Sequence, residues 1–72
     1  MMNKEEFIQL LQEKKYKTAQ NILSEMNDMD TAAFLEELDA KECALAFRLI
    51  SKEKAADVFS CMNSKMQTYL VD

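Results

Sequence analysis

The sequence predicts an all-α protein: a short-helix superhelix, or α-solenoid, of about six helices on a 12-residue repeat. Three observations carry this. Residues that cap helix N-termini recur at every twelfth position. Apolar residues recur within each unit at i, i+3, i+4 and i+7, one face of an α-helix. Strand-like alternation occurs nowhere in the 72 residues.

Laid out in twelves, the units begin at Asn3, Lys15, Asn27, Asp39, Ser51 and Asn63. Five of these six side chains accept hydrogen bonds from the free amides of a first helical turn. The first unit opens with Asn3 and Glu6, a capping-box pattern. Its stripe is Phe7, Leu10 and Leu11, and it closes on Lys14, the weakest match to the repeat. The second starts from Lys15, a poor cap, and carries Ala19, Ile22, Leu23 and Met26. In the third, Asn27 precedes Asp30, whose charge suits the positive end of the helix dipole, and Thr31, Phe34, Leu35 and Leu38 form the stripe.

Asp39 and Glu42 give the fourth unit a second capping box, ahead of Cys43, Ala46, Phe47 and Ile50. Ser51 heads the fifth, with Ala55, Val58, Phe59 and Met62. The sixth runs from Asn63 through Gln67 to Leu70 and Val71, which occupy core columns with no following unit to cover them. Solenoids normally finish on a polar capping repeat. The expectation is therefore a single helical domain over 1–72 that continues past its C-terminus into more helices. Self-association through that end is the alternative. Each unit leaves room for a helix of nine or ten residues and a turn of two or three. Helices that short are marginal alone, so each is expected to pack mainly on the preceding and following ones. One long helix is the competing picture, but a twelve-residue repeat does not hold one stripe on a straight helix.

Composition narrows the function. A chain of this size buries only about 60% of its unfolded surface, leaving little room for a catalytic pocket. Histidine is absent, so there is no Ser-His or Cys-His nucleophile pair and no imidazole metal ligand. Glycine is absent too, which removes phosphate-cradling loops. No enzyme is expected. The formal charge is −4, and no basic stripe suits nucleic acid. Lysines and glutamates balance over residues 1–26, so the net charge lies in 27–72.

Six carboxylates stand between Asp28 and Glu42, with only Lys41 against them. They read either as a cation site or basic-partner surface, or as acids in first helical turns. Cys43 and Cys61 are not a C-x-x-C pair and read as free thiols of a reducing compartment. The start of the chain lacks the apolar segment of a signal peptide. No apolar run approaches the ~20 residues needed to cross a bilayer, so this segment is not expected to insert. The six methionines read as core filler, or as an adaptable peptide groove.

With the repeat in place, a family comes into view. Phe34-Leu35-Glu36-Glu37-Leu38-Asp39, then Ala46-Phe47-Arg48-Leu49-Ile50-Ser51-Lys52-Glu53-Lys54-Ala55-Ala56-Asp57-Val58-Phe59, resembles the N-terminal cytosolic domain of MgtE magnesium transporters. Met62-Asn63-Ser64-Lys65-Met66-Gln67 stands where that family has its next turn. The resemblance covers essentially the whole chain and is most specific from Asn27 to Gln67. It implies a superhelical regulatory domain joined to a pair of CBS domains and a transmembrane pore, at the cytosolic face of the membrane, in a homodimer. It also implies that Mg²⁺ bridges acidic residues between this domain and the CBS domains, holding the pore closed, and that loss of Mg²⁺ releases it.

By position, Asp57 matches the family's ion-ligating glutamate in its AAEV segment, and Glu53, one turn earlier on the same face, can join it. Lys54, three residues before Asp57, offers a plain ion pair instead. The resemblance implies weak, interfacial Mg²⁺ binding, incomplete without the partner carboxylates. Where the family often has proline just inside the helix, this chain has Ala40, Lys52 and Ser64, which should loosen the turns. Aspartate in place of glutamate at 57 draws the carboxylate in by one methylene. The alternative function is a stand-alone α-solenoid adaptor for a protein helix, akin to the helical repeats of the flagellar motor switch protein.

Overall fold

The computed structural model describes residues 3–71, so Met1, Met2 and Asp72 at the ends of the expected domain lie outside the described residues. Six helices occur: α1 (Lys4–Gln12), α2 (Tyr16–Glu25), α3 (Asp28–Glu36), α4 (Ala40–Leu49), α5 (Lys52–Cys61) and α6 (Ser64–Val71). Among the described residues there is no strand. Every helix begins one residue after a predicted unit start.

The caps explain why. Asn3, Asn27, Asp39 and Ser51 accept from the backbone amide three residues on, at 2.9, 2.7, 2.9 and 3.2 Å. Asn63 does the same for Met66 at 2.8 Å. Each bond satisfies an amide that has no partner inside the helix. The capping boxes are only half formed. Glu6 lies 3.4 Å from the Asn3 side-chain amide, not on its backbone. The cap residue whose amide does receive a carboxylate is Asn63, which donates to Glu36 Oε2 at 2.7 Å from the far end of α3.

The turn before α2 departs from this scheme. Lys15 makes no side-chain cap. Instead α1 ends in a Schellman arrangement, with Lys14 N–H on the Leu11 carbonyl and Lys15 N–H on the Leu10 carbonyl, at 3.1 and 2.9 Å. Lys14 carries a φ of 61°, the left-handed conformation usually given to glycine.

Elsewhere, with no glycine to close helix C-termini, amide and ammonium groups from other helices do it. Gln20 of α2 donates to the Leu49 carbonyl, Lys54 of α5 to that of Met26, and Gln67 of α6 to that of Phe59, each at 2.6 Å. These bonds satisfy carbonyls that the helix ladder leaves open.

Two of these bonds, with that of Glu36, join residues 27–29 positions apart, roughly two repeats. Helix packing follows the same rule, since α3 packs most extensively on α5 and α2 packs on α4. The expectation of packing mainly on immediate neighbours therefore needs correction. Consecutive units do meet, α1 with α2 and α3 with α4, but the stack is built as much from next-but-one pairs. Two-residue links through extended Met26, Ile50 and Met62 turn the chain sharply, so the broad apolar stripe of one unit reaches the unit after next.

The four-residue column is the deepest, with Phe7, Ala19, Thr31 and Cys43 at 0% exposure. Thr31 carries the buried hydroxyl, which donates to the Asn27 carbonyl at 2.8 Å and so costs little. Phe7 and Phe34 meet edge to face with centroids 5.2 Å apart, tying α1 to α3. Helix α3 buries Thr31, Ala32, Phe34 and Leu35, more than any other helix, and is the centre of the stack. The radius of gyration, 11.0 Å, equals the ~11 Å of a compact domain of this length, so six units close on one core.

Candidate metal-binding face

The site expected from sequence lies on α5. Ser51 caps that helix, placing Glu53 in its first turn, where the dipole favours a carboxylate. Asp57 follows one turn later. Both are exposed, and residues four apart on a helix are neighbours, with Cβ atoms about 5–6 Å apart. Helix geometry therefore places the two residues on one open face of α5.

Lys54, the residue that offered Asp57 a simple ion pair, turns elsewhere. Its Nζ donates to the Met26 carbonyl at 2.6 Å and to Asp28 Oδ1 at 3.2 Å. Its side chain is mostly buried, while Asp28 is partly open. The ammonium thus joins the start of α5 to the end of α2 and the first turn of α3. Among the described residues, Asp57 and Glu53 have no cation within ion-pairing distance. Two oxygen-donor groups, exposed and unpaired, suit a hard cation that keeps most of its water.

The acidic stretch before α5 resolves differently. Asp28 and Asp30 lie in the first turn of α3 and Glu42 in that of α4, while Asp39 is a cap. Glu36 is taken by the Asn63 amide. Most of these acids serve helix starts, as the dipole argument predicts. Among the described residues no three Asp, Glu, Cys or His side chains converge in a manner able to hold a metal ion. An ion on Glu53 and Asp57 would draw its remaining ligands from water and a docked partner.

The cysteines are separate. Cys43 is buried and Cys61 exposed, both with free thiols. Burial, helped by the nearby Glu36 charge, pushes the Cys43 thiol pKa up. Its Sγ lies 3.5 Å from Met66 Sδ, a contact between α4 and α6.

Sequence reasoning missed the donors that close helix ends: Gln20, Lys54 and Gln67 give no local signal, because their acceptors lie 29, 28 and 8 residues away. Among the described residues, no helix is long and apolar enough to cross a membrane.

The family model for the MgtE intracellular N domain matches residues 26–72. That span takes in α3 to α6 and the whole of the Glu53–Asp57 face. No curated protein matches the chain.

Proposed function

The chain belongs to the MgtE intracellular N-domain family, and from that premise we propose that it is the Mg²⁺-sensing regulatory domain of a magnesium transporter or channel. Its family associates it with magnesium transport. On this reading the 72 residues precede a pair of CBS domains and a pore in one polypeptide, which works as a homodimer with this domain on the cytosolic side. The next-but-one stacking of helices supports a superhelical path.

The observation that carries the proposal is the state of Asp57. It stands exposed and unpaired beside Glu53, because Lys54 is held by Asp28 and the Met26 carbonyl. Mg²⁺ needs only one or two protein carboxylates when waters complete its shell. An ion shared between this face and carboxylates of a CBS domain offsets their mutual repulsion and favours the docked, closed arrangement. When Mg²⁺ falls, the repulsion returns and the domain swings away. The ion shifts the balance because it binds the docked state more tightly than the undocked one.

The test is fractionation of the native cells with an antibody raised to this segment, followed by intact mass. A much heavier species in the membrane fraction is expected. A soluble species of 72 residues would overturn the reading and leave an adaptor that shares the fold.

A further inference from the structure

On α5, helix spacing aims one cation at Asp57. The residues three and four positions from it are Glu53, Lys54, Ser60 and Cys61, and Lys54 is the only base among them. Viewed from Lys54, the same spacings give Ile50, Ser51, Asp57 and Val58, and Asp57 is the only acid. The local pair is nevertheless not formed. The Lys54 side chain is 16% exposed, and its Nζ donates to the Met26 carbonyl at 2.6 Å and to Asp28 Oδ1 at 3.2 Å.

Both acceptors belong to the junction between α2 and α3. Met26 is the extended C-cap of α2, Asn27 caps α3, and Asp28 opens its first turn. The rest of the interface holds this junction in place, since α3 packs on α5 more extensively than on any other helix. The ammonium therefore has two positions within reach of one stem. One is the junction, 28 and 26 residues back in the chain, and the other is Asp57, one turn along the same helix. In the first position it leaves the α5 carboxylates free, and in the second it occupies one of them.

We propose that Asp28 is a positioning residue for the ion site: with the Met26 carbonyl it keeps the Lys54 ammonium off Asp57, so that closure of the α2–α3 junction on α5 sets the cation affinity of the Glu53–Asp57 face. The inference rests on the Mg²⁺ reading and deepens it to a regulation of that same site. Linkage makes the coupling reciprocal. A divalent ion on Glu53 and Asp57 excludes the ammonium from Asp57 and so favours the closed junction. The magnitude follows from charge alone: a unit positive charge about 6 Å from a divalent ion weakens its binding by about tenfold, even in the dielectric of water. Every group involved lies between Met26 and Asp57.

The test is a double-mutant cycle on Mg²⁺ affinity, with Asp28→Lys made in the wild-type chain and in a Lys54→Met chain, each checked for helicity. Lys54→Gln, which keeps a donor for the Met26 carbonyl, replaces Lys54→Met if that variant unfolds. Charge reversal is needed because the carbonyl alone still holds the ammonium beside a neutral asparagine. Affinity is read from the amides of Glu53 to Asp57 at low salt. Asp28→Lys is expected to weaken Mg²⁺ binding about five- to tenfold where Lys54 is present and by under about twofold where it is absent. Asp28→Glu should behave as wild type. A field acting through space is additive, so an equal loss in both backgrounds would overturn the proposal. The position of the ammonium is read separately, without Mg²⁺. A nuclear Overhauser contact between the Lys54 ε-protons and the Asp57 β-protons should appear in Asp28→Lys, and its absence overturns the proposal whether or not Mg²⁺ binds. If the contact appears but the wild-type chain shows no Mg²⁺ response at Glu53 and Asp57, the sensing reading falls, and the claim about ion affinity falls with it.

Discussion

Replacing Lys54 with methionine separates two interactions that share one ammonium. The apolar stem survives, while the bonds to the Met26 carbonyl and Asp28 are lost. A hydrogen bond from a charged donor contributes about 1.5–3 kcal/mol, and its loss here leaves a helix-end carbonyl without that donor. The ion pair contributes less. Asp28 is 39% exposed, so solvent screening limits it to about 0–1 kcal/mol. Lys54→Met should therefore cost about 2 kcal/mol, and Asp28→Asn about 0.5 kcal/mol. For a domain this small, these convert to Tm losses of about 10 °C and about 3 °C. Thermal unfolding followed by circular dichroism at low and high salt decides between them. The Lys54→Met loss should persist in 1 M salt, where the Debye length is about 3 Å. Equal losses for the two variants, or a Lys54→Met loss that salt abolishes, would refute the ranking of the carbonyl bond above the ion pair.

Two further predictions concern the turn before α2 and the thiols. Lys14→Gly should raise stability by up to about 1 kcal/mol, because relief of the left-handed backbone outweighs glycine's greater freedom in the unfolded chain; denaturant unfolding measures it, and a loss would contradict the Schellman reading. At pH 8 a thiol reagent should label Cys61 and spare Cys43 until the chain unfolds, which mass spectrometry of the labelled peptides checks. Because the folded Cys43 pKa is raised, its native thiol stabilises fully below the unfolded value and that contribution is lost as pH rises through the folded one. Cys43→Ser should weaken this alkaline dependence in a pH series of unfolding curves.

The fold was legible in the sequence because its instructions are local. A cap three residues before the amide it satisfies, and a stripe within eight residues, are both visible in one unit. Asn27 and Asp39 announced α3 and α4 for that reason. The way units stack was not legible, because it depends on links across two repeats, such as Gln20 to Leu49 and Glu36 to Asn63. Chain spacing alone suggested neighbours, and next-but-one pairs share the work. Lys14 shows a different limit: nothing in its residue type announces a positive φ, since glycine is the usual signal and the chain has none. At the candidate site, the resemblance pointed to Asp57 and Glu53, but that Lys54 turns away from Asp57 depends on Asp28 and the Met26 carbonyl, far away in sequence.

The proposed role of Asp57 as an ion ligand on an open face separates the Mg²⁺-sensing reading from the adaptor. The most direct test is a Mg²⁺ titration of the chain, read amide by amide, beside the Asp57→Asn variant. Shifts are expected to concentrate from Glu53 to Asp57 and to weaken strongly in the variant. A response centred on the acids between Asp28 and Glu42, unchanged by Asp57→Asn, would contradict it.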